Sequence, residues 1–160
     1  QFALMQQWGL TIMYTAVFVP FMIYSIICWR KQTLQSKENE KALCPTWLSL
    51  KTQGLNLLFL IGIVAIDSGL LMHYESTIHS GQLMLKLTSG VMIGSSILAN
   101  FWLIYQKLDA WIWWVVYSVA GMTMYALIGN AFSFVLFTIF LIVNTGAGLA
   151  WIKLRKQYIK

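Results

Sequence analysis

This chain of 160 residues predicts an all-α integral membrane fold with five transmembrane helices, and three observations carry that reading. The first is the 43-residue stretch from Ala110 to Ile152, which holds no Asp, Glu, Lys, Arg or His and is punctuated once, at Gly129-Asn130. A bilayer core takes about 20 apolar residues per helix, so the stretch is two spans joined by a tight turn. The second is composition: 59% of residues are hydrophobic and 10% charged, against roughly 25% charged in soluble globular domains. The third is the alternation of basic residues from loop to loop, which gives every loop a side.

The elements follow in order within a single transmembrane domain, residues 1–160. Phe2 to Trp29 is charge-free, too long for a signal peptide and without a basic n-region. Pro20 falls inside it and is expected to kink it. Residues 30–53 form a hydrophilic linker, where Lys37-Glu38-Asn39-Glu40-Lys41 reads as a solvated run and Cys44-Pro45 as a break. Residues 54–72 form the second span, with Asp67 inside it; the third runs from Leu83 to Tyr105, with Lys86 near its start. The remaining two spans complete residues 83–152, and residues 153–160 are a basic tail.

Short cytoplasmic loops carry the Lys/Arg excess of a membrane protein. Arg30, Lys31, Lys37, Lys41 and Lys51 follow the first span, none occurs from His73 to Gln82, Lys107 follows the third span, and none occurs at Gly129-Asn130. Lys153, Arg155, Lys156 and Lys160 close the chain. The pattern places the N-terminus outside and the C-terminus in the cytoplasm. The net charge of +6 is therefore a topology signal. Scattered over three loops, it makes no continuous basic face for a nucleic acid. Cys28 and Cys44 fall on the cytoplasmic side, where thiols stay reduced.

Enzyme chemistry finds little to work with. No Ser-His-Asp set, Cys-His pair, paired carboxylates or phosphate-binding glycine loop is present, and Asp67 alone offers an ionisable group deep in a span. His73, Glu75 and His79 share an outer loop and read as solvated groups, so no metal and no cofactor is assigned.

The candidate site is a binding surface. Residues three and four apart share a helix face, which sets Trp111, Trp114, Ser118, Gly121, Met122 and Tyr125 along one side of the fourth span. Trp114 and Ser118 lie deeper than an interfacial aromatic belt reaches. Two readings fit: a stacking surface for a flat ligand, or belt residues plus a small packing serine. Asn100 shares a face with Ser96 and Ser89, and Asn144 shares one with Phe137, Leu141, Gly148 and Trp151. An amide in hydrocarbon needs a partner, here either a neighbouring helix or a ligand. With the tryptophans, these groups would wall a pocket suited to a small planar heterocycle carrying a sugar or alcohol.

The order Lys107-Leu108-Asp109-Ala110-Trp111-Ile112-Trp113-Trp114, then Tyr125, Gly129 and Gly148-Leu149-Ala150-Trp151 before basic residues, resembles the C-terminal half of the Pnu (PnuC-type) vitamin transporters. In that family a Trp-x-x-Trp-x-x-x-Asn motif contributes to the substrate site and Gly-x-x-Trp-basic closes the last helix. Trp111 and Trp114 match the tryptophans, Gly148 and Trp151 match the closing pattern, and Ser118 stands where the motif has Asn. The resemblance implies that the five spans are helices three to seven of a SWEET-like seven-helix fold arranged as triplet, linker helix, triplet. Residues 1–29 would be the last helix of the first triplet, 54–72 the linker helix and 83–152 the second triplet. Two helices would precede Gln1, and the Trp29/Trp151 echo would mark the ends of the two triplets. The implied function is uptake of a small aromatic vitamin, nicotinamide riboside first, by facilitated diffusion with alternating access. The setting would be the bacterial cytoplasmic (inner) membrane, in contact with membrane lipid and as a homo-oligomer. Trp111 and Trp114 would stack the ring, with Asn100, Ser118, Tyr125 and Asn144 as polar contacts. Thiamine or riboflavin transport, and a non-transporting assembly subunit, are the alternatives.

Overall fold

The computed structural model describes residues 19–36, 45–74 and 80–158 of the chain. Five helices account for nearly all of them: α1 (Val19–Ser36), α2 (Leu50–Tyr74), α3 (Ser80–Ile104), α4 (Asp109–Ile128) and α5 (Ala131–Tyr158). The all-α expectation is met. Helices α2 to α5 contain apolar stretches of 20, 22, 20 and 27 residues, each long enough to cross a bilayer. The apolar part of α1 is Val19–Cys28, so most of the span expected from Phe2, and the backbone before Pro20, lies outside the described residues. The Lys37–Lys41 run, Cys44, Glu75 and His79 lie outside them as well.

Where sequence and structure differ, the difference is at helix ends. α1 continues past Trp29 to Ser36, because Lys31 and Gln32 favour helix whether or not they sit in hydrocarbon. α2 begins at Leu50, ahead of the span expected from residue 54, since Ser49 caps it: the Ser49 hydroxyl accepts from Thr52 N–H at 3.3 Å and lies 2.8 Å from the Thr52 hydroxyl. The α4–α5 turn is as short as the sequence implies. Gly129 takes the left-handed conformation, φ 73° and ψ 20°, which costs a residue without Cβ least. Asn130 then opens α5, its side-chain oxygen accepting from Ser133 N–H at 3.0 Å.

Helices α2, α3, α4 and α5 pack in chain order, with α1 resting on α3. Lys51 of α2, Lys107 of the α3–α4 loop, and Lys153, Arg155 and Lys156 of α5 consequently gather at one end of the bundle, called the basic end below. The core sits between α3, α4 and α5: Met92, Tyr117, Ala120, Met124 and Phe137 are buried, with Trp114, Met122 and Tyr125 packed around them. Hydroxyls within the spans turn back onto their own helices, as Thr88 does to Met84 O, Thr123 to Val119 O and Thr138 to Phe134 O. Each of these hydroxyls is thereby satisfied without water.

At the basic end the linker touches the bundle. Leu108 N–H donates to Thr46 O at 3.0 Å, and Thr46 pairs with Lys107 as a parallel bridge, so the chain entering α2 lies along the α3–α4 loop. Deeper in, α2 and α3 approach closely at two glycines. A Cβ on Gly90 would stand 2.9 Å from the Val64 Cα, and one on Gly94 would meet the Leu60 side chain. Small residues at such a seam let backbones come together where no hydrophobic effect drives the helices.

Gly90→Ala is expected to force α2 from α3 and lower thermal stability in detergent by about 1–3 kcal/mol. Gly62→Ala on α2, with nothing within 4 Å of the new Cβ, is expected to be neutral or to stabilise by up to about 1 kcal/mol. Equal melting temperatures for the two variants would place the seam elsewhere.

Candidate functional site

The α4 stripe expected from sequence faces α5. Ser118 and Gly121 are buried, Trp111, Trp114, Met122 and Tyr125 are half-buried, and the residues between them, such as Ile112 and Val119, are exposed. On α5 the matching face is Phe137, Leu141, Asn144, Gly148 and Trp151. These two faces meet over their whole length, and each contact has a local cause.

At the basic end, Gly148 makes room for Trp111: a Cβ there would stand 3.1 Å from the Trp111 Cβ. One turn on, Trp151 meets the Trp111 ring edge-on, centroids 5.4 Å apart and planes at 74°, the arrangement that aromatic quadrupoles favour. The closing Gly-x-x-Trp pattern is thus a seat for a tryptophan of α4. The Trp111 indole N–H is buried and has no acceptor among the described residues, as is that of Trp102 on α3. Such orphans are uncommon, because leaving a buried donor unpaired costs about 1–3 kcal/mol.

In the middle, the two helices share a polar knot. The Ser118 hydroxyl donates to Trp114 O at 2.8 Å and receives the Asn144 amide at 3.1 Å, and the same amide lies 3.5 Å from Trp114 O. Ser118 is fully buried, so both sides of its hydroxyl are used within the protein. Trp114 stands edge-on to Tyr117, centroids 5.4 Å apart at 89°. Toward the far end, Phe137 lies directly over Gly121, where any Cβ would run into the ring. Tyr125 packs on that same ring, centroids 5.3 Å apart.

Of the six residues singled out in the sequence, Trp111, Trp114, Ser118 and Asn144 therefore line one seam. Tyr125 belongs to the aromatic cluster at its far end. Asn100 stands apart on α3, buried, its amide donating to Ser96 O of its own helix at 2.9 Å. Sequence reasoning assigned no role to Asp109. Its carboxylate is buried and accepts from Leu48 N–H at 2.7 Å and from the Gln53 amide at 2.8 Å. The available signal was a single acid placed beside a span in an otherwise basic loop.

The seam offers flat aromatic faces, an amide and a hydroxyl. It carries no side chain that is charged at neutral pH. Among the described residues no group of three His, Cys, Asp or Glu is placed to hold a metal ion. The seam's chemistry is recognition by stacking and neutral hydrogen bonds.

Replacing Ser118 by Ala and Asn144 by Leu, singly and together, is expected to give a coupling free energy of about 1 kcal/mol in a double-mutant cycle of thermal stability. Strict additivity would mean that the two groups do not bond.

A family model described as nicotinamide mononucleotide transporter matches residues 1–153. No curated protein and no solved structure matches the chain significantly. The family match spans the tryptophan stripe, the glycine turn and the closing Gly-x-x-Trp pattern together, and on it the chain belongs to the nicotinamide mononucleotide transporter (PnuC) family of membrane transporters.

Proposed function

We propose that this chain carries nicotinamide riboside across the bacterial cytoplasmic membrane by facilitated diffusion, with the nicotinamide ring against Trp111 and Trp114. One observation carries the choice of substrate: from Ala110 to Ile152 the face shared by α4 and α5 is built from aromatic and neutral polar residues, with no Lys, Arg, His, Asp or Glu. The family description names the mononucleotide. A phosphate monoester brings a charge of about −1.5 to −2, which in a low-dielectric seam needs a cation beside it. The riboside has no phosphate, and its pyridinium is itself a cation. Tryptophan faces attract such a ring by about 0.5–2 kcal/mol.

The remaining groups have roles in this reading. Asn144, reaching across from α5 to Ser118, supplies the carboxamide that the family motif carries at the Ser118 position. The Trp111 indole N–H is a donor for a carboxamide or ribose oxygen. Tyr125 bounds the seam, and Asn100 contributes from α3 once the ligand lies between the helices. In this reading α1 belongs to a first triplet, residues 54–72 are the linker helix and 83–152 the second triplet. Access alternates as one triplet moves against the other. The basic end faces the cytoplasm, in accord with the distribution of Lys and Arg between loops. Uncoupled transport accords with the few intramembrane charges, Asp67 on α2 and Lys86 on α3.

The test is thermal stability of the purified protein against nicotinamide riboside, its mononucleotide, thiamine, riboflavin and a plain nucleoside, repeated with Trp114→Ala. A ligand at 100 times its Kd stabilises the native state by about 2.7 kcal/mol. The riboside is expected to raise the melting temperature of the wild type and to lose its effect in the variant. A stronger effect of thiamine or riboflavin would reassign the substrate. No effect from any compound, with Trp114→Ala merely less stable, would make the stripe a packing surface of an assembly subunit.

A further inference from the structure

The basic end holds a second polar constellation that substrate recognition does not use. Asp109 is 2% exposed, and its two carboxylate oxygens are taken by two points of the linker, Leu48 N–H on Oδ2 and the Gln53 amide on Oδ1. Beside it Lys107 Nζ donates to the Thr46 hydroxyl at 2.7 Å, Leu108 N–H to Thr46 O, and Thr46 N–H to Gln106 O at 3.4 Å. A buried carboxylate is tolerable only where its charge is met. Two N–H donors and the positive end of the α4 dipole meet it here. The Lys107 backbone N–H bonds Trp102 O at 2.9 Å, which ties the same loop to α3. Further in, Gly90 and Gly94 bring α2 onto α3. α2 is thus held at its start by α4, which bears the tryptophan stripe, and along its length by α3.

We propose that Asp109 is a positioning residue that fuses α2 with α3, α4 and α5 into one rigid body, so that the change of access is carried by α1 moving against that body. The proposal rests on the transporter reading for its consequence, and on the bonds around Asp109 for its cause. Two residues after Asp109 comes Trp111, so the same pin fixes the turn of α4 that carries the first tryptophan of the stripe.

The test cross-links the linker to the α3–α4 loop. Thr46→Cys and Lys107→Cys are placed in a Cys28→Ser/Cys44→Ser background, since bridged neighbours lie within disulfide reach. In proteoliposomes, riboside uptake by the oxidised double-cysteine protein is expected to stay within about twofold of that of the reduced protein, because a joint that never opens sets no conformational step. Uptake that stops on oxidation and returns with dithiothreitol would overturn the proposal. Cross-linking yield, measured without substrate, tests the pin itself. Asp109→Ala is expected to lower the yield several-fold, and Asp109→Asn with Gln53→Glu to restore it, the new amide accepting from Leu48 N–H and donating to the new carboxylate. A yield unchanged in Asp109→Ala would show that the carboxylate is not the pin. If the wild type takes up no compound, the transport reading fails, while the yields still decide the pin.

Discussion

One constraint runs through this bundle: in hydrocarbon no water stands by to satisfy a polar group, so most find a partner inside the protein, and the buried indole N–H groups of Trp102 and Trp111 stand out as exceptions. The hydroxyls of α3, α4 and α5 bend back to carbonyls four residues earlier, and Asn100 does the same with its amide. Ser118 also bonds back to Trp114 O, but its hydroxyl accepts in addition from the Asn144 amide across two helices. That bond sets the register of α4 on α5. With the register set, Gly148 falls under Trp111 and Gly121 under Phe137, and the aromatic side chains are aligned by consequence.

The same economy explains why the site is neutral. An uncompensated charge along the α4–α5 seam would have to be paired or hydrated, and neither is available between two helices packed this closely. The buried carboxylate of Asp109 is tolerated because it sits at a helix start, where backbone donors and linker groups converge, rather than in the middle of a span.

Much of this was legible in the sequence, for identifiable reasons. Spans are readable because hydropathy sums over about 20 residues and survives local error. The α4 stripe and its α5 counterpart are readable because helical spacing alone puts Trp111, Trp114 and Ser118, or Asn144, Gly148 and Trp151, on one face. That these two faces meet, and that Ser118 is the partner of Asn144, is a tertiary fact with no local trace. Asn100, grouped with them on chemistry, belongs to a different helix face. Asp109 escaped notice because its partners lie 61 and 56 residues away and one of them is a backbone amide. α1 runs on past its apolar part to Ser36, and α2 starts at Leu50 ahead of residue 54, because propensity and capping as well as hydrophobicity decide where a helix begins and ends.

The turn at Gly129-Asn130 has a further consequence for biogenesis. Two residues cannot form a loop that waits on one side of a membrane while the other helix arrives, and neither they nor the 43 residues around them carry a charge to arrest passage. α4 and α5 are therefore joined as one helical hairpin suited to entering the bilayer together, with the Ser118–Asn144 bond to close its seam. Such entry would assemble the stripe of tryptophans at the moment of insertion rather than after it.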